Sequence, residues 1–201
     1  MKRLVIASNN KGKVEEIREL FKDLCYNIVS VKDLGLDIHI AEDQADFAGN
    51  SYKKARETSV NIGEIVMADD SGLEVEALNG QPGVHSARFA GEKAKDRDNN
   101  EKLLSLMKEI PEIRRKARFC CVITMYWPDG NYLQTKGICT GSIGFYPVGE
   151  GGFGYDPLFI PTGYDKTMAE LSSEEKNKIS HRSIAIKAMS ELLSNYCQGC
   201  Y

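Results

Sequence analysis

The segment Met67-Ala68-Asp69-Asp70-Ser71-Gly72 sets two adjacent carboxylates at the end of an apolar run, Ile65-Val66-Met67-Ala68, that reads as a strand. Buried charge is costly unless it is paired or binds a metal. Two acids at a strand end therefore point to holding a divalent cation or activating water. An ordinary Asp-Asp-Ser-Gly turn is the alternative. A metal site built on Asp69 and Asp70 needs one more carboxylate. Glu42, in Glu42-Asp43-Gln44-Ala45-Asp46, is the candidate. Asp43 and Asp46 are accounted for by the helix that follows, whose dipole favours acids at its start. Lys54 lies within that helix beside Lys53, and a solvated surface lysine is the plain reading of both.

Three further groups have side chains suited to chemistry. Ser8-Asn9-Asn10-Lys11-Gly12-Lys13 links a strand to a helix, where backbone N–H groups and the helix dipole make an anion site. Ser8 and Asn10 add side-chain donors, and Lys13 adds charge within reach of a phosphate. The Walker spacing is absent, and a polar loop with a solvated lysine remains open. Gly151-Gly152-Phe153-Gly154-Tyr155-Asp156-Pro157 combines glycines, which let a backbone approach a ligand closely, with the flat face of Phe153. Asp156 can accept from a ring N–H. A core aromatic in a loop is the alternative. Lys176 with Ser180-His181-Arg182 places donors at a helix start, a match for a carbonyl oxygen. His39 and His85 read as structural.

The elements that must position these groups alternate early between strand and helix. Leu4–Ala7 reads as a strand, and Val14, Ile17, Leu20, Phe21 and Leu24 repeat at helical spacing. Ile28–Val31 suggests a second strand and Phe47–Ile62 a second helix. Leu73, Val75 and Ala77 alternate with Glu74 and Glu76 as a separate half-exposed strand. Asn79-Gly80-Gln81-Pro82-Gly83 is a turn-rich loop. Leu103, Leu104, Met107 and Ile110 mark a helix that ends by Pro111. Arg118–Trp127 and Asn131–Thr140 form a hairpin around Pro128-Asp129-Gly130. Leu158–Ile160 is a short strand, Ser172-Ser173-Glu174-Glu175 a capping box, and Ile184, Ala185, Ala188, Met189, Leu192 and Leu193 a terminal helix stripe. Together they predict a mixed sheet.

The 201 residues allow one large domain or two small lobes, and 42% hydrophobic content supplies a substantial core. A net charge of −3 gives no case for nucleic-acid binding. No apolar run approaches the ~20 residues of a membrane span, and the expected compartment is the cytoplasm. The six cysteines show no framework spacing. Adjacent Cys120 and Cys121 suit reduced thiols on opposite faces of a strand. Cys197-Gln198-Gly199-Cys200 is a lone CxxC without a second ligand pair.

Six pieces, in order along nearly the whole chain, resemble the inosine triphosphate pyrophosphatase family. They are Ser8–Lys13, Phe47 with Asn50 and Lys54-Ala55, Ala68–Leu73, Gly80–Gly83 with Ser86-Ala87-Arg88, Gly151–Pro157, and Glu174-Glu175-Lys176 with Ile179–Arg182. The departures are mild: Asn9 stands where relatives often have Gly, and Tyr155 where some have Trp. The resemblance implies an α/β fold over residues 1–201 as a single domain, with a long twisted mixed sheet flanked by helices and two lobes about a central cleft. It implies hydrolysis of non-standard purine nucleoside triphosphates between the α and β phosphates, Mg2+ as cofactor, and a homodimer.

By the same resemblance Asp70 is the general base, and Glu42, Asp70 and Asp69 hold the metal. Ser8, Asn9, Asn10, Lys11, Gly12, Lys13, Lys54 and Ser71 would meet the phosphates. Phe153, Gly154, Tyr155, Asp156, Lys176, His181 and Arg182 would meet the base: Phe153 stacks, Asp156 accepts from the protonated ring, and His181-Arg182 donate to the 6-oxo group. Adenine presents an amino group there, and unpaired buried donors reject such an analogue by ~10⁴-fold or more. Two other readings are a Maf-type enzyme acting on modified pyrimidine nucleotides and a nucleotide sensor without turnover. A third is a thiol or zinc protein built on Cys197 and Cys200.

Overall fold

The computed structural model describes residues 2–21 and 26–198. Leu24, Cys25 and Cys200 lie outside the described residues, as does the side chain of Cys197. The strands are β1 (Lys2–Ile6), β2 (Tyr26–Ser30), β3 (Ile65–Val75), β4 (Lys116–Tyr126), β5 (Tyr132–Ile143) and β6 (Phe159–Pro161). The helices are α1 (Lys11–Leu20), α2 (Phe47–Ile62), α3 (Asp96–Leu106), α4 (Ser173–Ile179) and α5 (His181–Gln198). The sheet is mixed, in the order β2-β1-β3-β4-β5-β6: β1 runs parallel to β2 and β3, and β5 antiparallel to β6. The chain forms two compact units. The first comprises 1–70, 121–137 and 182–201, the second 71–120 and 138–181.

In the first unit the strands are covered on both faces, which is why β1 reads as a continuous apolar run. Leu4, Ile6 and Met67 pack with Val14 and Ile17 of α1 and with Ala185, Ile186, Met189 and Leu193 of α5. Val5, Val66 and Ala68 point to the other face and pack with Ala55 of α2. The second unit packs Leu73, Val75, Ala117, Phe119, Cys139, Ile143 and Phe159 against Leu103 of α3 and Met107 just beyond it. Alternate residues Glu74, Arg118 and Thr140 stay out of that core, so its strands alternate.

Helix ends follow local chemistry. Asp46 caps α2 by accepting from Gly49 N–H at 2.7 Å, and Gly63 ends it with φ +67°, a conformation glycine adopts without strain. The capping box at Ser172 and Glu175 forms as expected, with reciprocal bonds of 3.2 and 2.9 Å. The hairpin closes through Trp127 N–H to Asn131 O, with Gly130 at φ +94°.

Two expectations are corrected. The acidic corner is not a strand end: β3 runs unbroken through Asp69, Asp70, Ser71 and Gly72 to Val75. Side-chain partners from distant segments engage both carboxylates, so turn propensity is overridden. Gly72 is needed in this strand because a Cβ there would lie 2.5 Å from the Gly83 carbonyl oxygen. In α5, Ile186 is buried whereas Ile184 and Leu192 are exposed, which shifts the predicted stripe.

Candidate active site

The period of a strand divides the two acids. Asp69 and Asp70 are neighbours, so their side chains leave β3 on opposite faces. Asp69 shares the face of Met67, toward α1 and α5. Its Oδ2 lies 2.8 Å from Lys13 Nζ and 3.7 Å from Arg182 Nε. Arg182, 2% exposed, also pairs with Glu16, one turn along α1 from Lys13. Burial alone would raise the Asp69 pKa, but Lys13, Arg182 and Lys54 together hold it well below the usual carboxylate range. Arg182 is in turn lifted above its ordinary value: burial opposes this, and the acids Asp69 and Glu16 outweigh it.

Asp70 faces α2. Asn50 Nδ2 donates to its Oδ2 at 3.0 Å, and Lys54 Nζ stands 3.5 Å from its Oδ1. Its pKa is raised, first by burial and then by the charge of Glu42, against the pull of Lys54, Lys13 and Asn50. One strand thus carries a firmly ionised acid and a more basic one side by side, a division that separates a binding role from a proton-transfer role.

Glu42 sits in the irregular segment before α2, which is tied to that helix at four points. Lys54 Nζ donates to Glu42 Oε1 at 2.7 Å, and Lys53 bonds both Asp43 oxygens at 2.8 Å. Gln44 N–H donates to Asn50 Oδ1 at 3.0 Å, and Asp46 caps the helix. Neither lysine is simply solvated. Lys54 Nζ donates further to the Asp69 carbonyl at 2.6 Å. Burial works against its charge, but Asp70, Asp69 and Glu42 raise its pKa above the ordinary lysine value.

Among the described residues no three His, Cys, Asp or Glu side chains form a ready-made metal cage. The expected ligands Glu42, Asp69 and Asp70 do not share one face. Glu42 and Asp70 converge on one point, while Asp69 is committed to the opposite face.

The loop before α1 takes the expected form in part. Asn10 is the helix N-cap: its Oδ1 accepts from Lys13 N–H at 3.2 Å, while Ser8 Oγ accepts from Asn10 N–H at 3.3 Å. Asn10 thus serves as an acceptor for the helix, where a donor role was expected. Asn9 and Lys11 are exposed, and Gly12 and Lys13 are half-buried. Ser71 is half-buried on β3.

In the second unit, Asp156 is buried and accepts from Phe153 N–H at 3.2 Å and from Lys176 Nζ at 2.8 Å. Lys176 Nζ also lies 5.2 Å from the centre of the Phe153 ring. A Cβ on Gly152 would collide with the Asp156 carboxylate, so glycine there permits the turn. Gly154 is pinned at both ends, with its N–H on Asp96 Oδ2 at 2.6 Å and its carbonyl on Asn100 Nδ2 at 2.9 Å.

Tyr155 departs from expectation. It is buried in the core of the second unit, donates to the Ser86 carbonyl at 2.8 Å, and supports the loop from beneath. His181 is buried and stacks on Phe119 at 4.8 Å. Arg182, its neighbour in sequence, belongs to the first unit with Asp69 and Glu16, so its guanidinium is set among acids.

Sequence reasoning gives Asn50 no role in the site and passes over Glu16, Asp96 and Asn100. Two of these carried a usable signal. Asn50 precedes Lys54 by four residues and Glu16 follows Lys13 by three, so each pair shares a helix face.

Comparison with known proteins agrees with this architecture. The chain is 50% identical over 192 residues to the dITP/XTP pyrophosphatase of Desulforamulus reducens, covering 96% of each chain. It is 45% identical over 193 residues to the Bacillus subtilis dITP/XTP pyrophosphatase, covering 96% of this chain and 98% of that one. The structure of the Staphylococcus aureus Ham1 protein matches with a TM-score of 0.87 at 42% identity, over 97% of this chain and 100% of that one. The family model described as the Ham1 family matches residues 4–192. With that match and these identities over nearly its full length, the chain belongs to the Ham1 family.

Proposed function

We infer that the protein is a dITP/XTP pyrophosphatase: it hydrolyses non-standard purine nucleoside triphosphates (ITP, dITP and XTP) between the α and β phosphates, releasing a monophosphate and pyrophosphate. Names carried by relatives at 45–50% identity support the activity. The observation that carries the mechanism is the splitting of Asp69 and Asp70 across β3, with an ionised acid on one face and a more basic one on the other.

In this proposal Asp70 takes a proton from the attacking water. Its raised pKa makes it a better acceptor than an ordinary aspartate. Asn50 aims its carboxylate. Lys13 and the N-terminal turn of α1, with Ser8, Asn9, Asn10, Lys11 and Gly12, bind phosphate oxygens. Lys54 and Ser71 add donors. Asp69 holds Lys13 in place rather than binding metal.

Glu42 and Asp70 fit a divalent cation such as Mg2+, which is commonly held by one or two carboxylates together with substrate phosphates. Bound there, the cation would supply charge against the polyphosphate oxygens.

Phe153, Asp156, Lys176 and His181, with the Gly154 backbone, recognise the base; Tyr155 and Arg182 act as supports. Phe153→Ala is expected to raise the Michaelis constant for every purine triphosphate while leaving their ranking nearly intact. Unchanged Michaelis constants would remove the stacking role.

The enzyme is proposed to act in the cytoplasm as a homodimer. Among the described residues no helix is long and apolar enough to cross a membrane. Mass measured by light scattering checks the dimer.

The activity is tested by a pyrophosphate-release assay over inosine, xanthosine, guanosine and modified pyrimidine triphosphates, with and without Mg2+. Preference for ITP and XTP with equimolar pyrophosphate is expected. Preference for modified pyrimidines would favour a Maf-type enzyme, and binding without release would favour a sensor.

A further inference from the structure

We propose that Lys54 is a resident counter-ion of the cation site: without nucleotide its ammonium occupies the point where the divalent cation binds, so metal enters only together with a polyphosphate. This rests on the metal site proposed above.

Three oxygens surround Lys54 Nζ: Glu42 Oε1 at 2.7 Å, the Asp69 carbonyl at 2.6 Å and Asp70 Oδ1 at 3.5 Å. An ammonium has three donors, and two carboxylates with a backbone carbonyl make a set it can address fully. The same oxygens are the hard donors a divalent cation prefers, at about 2.0–2.6 Å. Metal and ammonium cannot share that point.

Protein contacts hold these oxygens. Glu42 is carried on a segment fastened to α2 by Asp43–Lys53, Gln44–Asn50 and the Asp46 cap. Asp70 is fixed by Asn50. Lys54 is itself on α2, with its side chain 12% exposed. The site is therefore built in advance around an internal cation.

Glu42, Asp70 and Lys54 sum to one negative charge, a weak lure for a free divalent ion. A polyphosphate changes the balance. It offers Lys54 new acceptors and brings its own oxygens to complete the metal's shell.

The test uses Mn2+ as a spectroscopic probe in place of Mg2+. Its binding to the nucleotide-free protein is followed by electron paramagnetic resonance for the native chain, Lys54→Met and Lys54→Arg. Removing the ammonium is expected to tighten Mn2+ binding at least ~10-fold, and Lys54→Arg is expected to bind as weakly as the native chain. Adding Asp70→Asn to Lys54→Met should abolish the gain, which locates the site. Equal or weaker Mn2+ binding by a folded Lys54→Met variant overturns the proposal.

If that variant does not fold, the native protein decides. Mn2+ affinity is measured with and without an α,β-imido analogue of ITP. Tight binding only with the analogue is expected, and equally tight binding in its absence overturns the proposal. Pyrophosphate release by the native protein reads the enzymatic assignment separately, so the two can fail independently.

Discussion

Asp70→Asn is expected to fold normally and to release pyrophosphate from ITP at least ~10³-fold more slowly, about 4 kcal/mol in barrier height. The substitution keeps the shape of the side chain on the α2 face of β3, beside Asn50 and Lys54. It removes a carboxylate whose proton affinity is raised, first by burial and then by Glu42. Asp69 cannot take over, because its charge points to the other face and is stabilised by Lys13 and Arg182. Single-turnover measurement of pyrophosphate decides the matter. Near-native turnover with an unchanged circular dichroism spectrum would remove Asp70 as the base.

The second large effect is on stability. Asp69→Ala deletes a fully buried acid and leaves Lys13 and Arg182 without that counter-charge. Breaking one side of a buried ionic cluster costs about 3–5 kcal/mol, and urea unfolding at neutral pH should show a loss of that size. The pH dependence has a definite sign. The folded-state pKa of Asp69 is depressed below 3.8, its ordinary value. Its contribution is therefore complete above that value and is lost as pH falls through the folded pKa. The stability gap between the native chain and Asp69→Ala should be constant from neutral pH down to ordinary aspartate titration, then shrink. A gap that stays level under strong acid would show that Asp69 acts by packing and not by charge.

Much of this architecture was legible before any coordinates. The strand–loop–helix opening, the α2 limits at Phe47 and Ile62, the hairpin about Gly130 and the capping box at Ser172 each rest on local chemistry. The acidic corner escapes a local reading because its conformation is decided at long range. Asp-Asp-Ser-Gly favours a turn in isolation, yet Lys13, Arg182, Asn50 and Lys54 supply partners from three different helices and keep it extended. Which face each carboxylate takes follows from strand period once β3 is known to be continuous, but not before. Arg182 and Tyr155 were read from their neighbours in sequence. A buried guanidinium goes where acids are, and a tyrosine ring goes where the core has room. Glu16 and the Phe119–His181 stack show how much of that depends on contacts between distant segments.

The chain passes between its two units four times, at 70–71, 120–121, 137–138 and 182. Neither unit is a single stretch of polypeptide. As the ribosome extends the chain, the second unit is complete at His181, before the part of α5 whose Ala185, Ile186 and Met189 the first unit needs for its core. The β1 and α1 segments, synthesised first, must wait with apolar surface uncovered until that helix emerges. Early termination before Arg182 would therefore yield a product that chaperones and proteases meet as unfinished, and not a shortened enzyme.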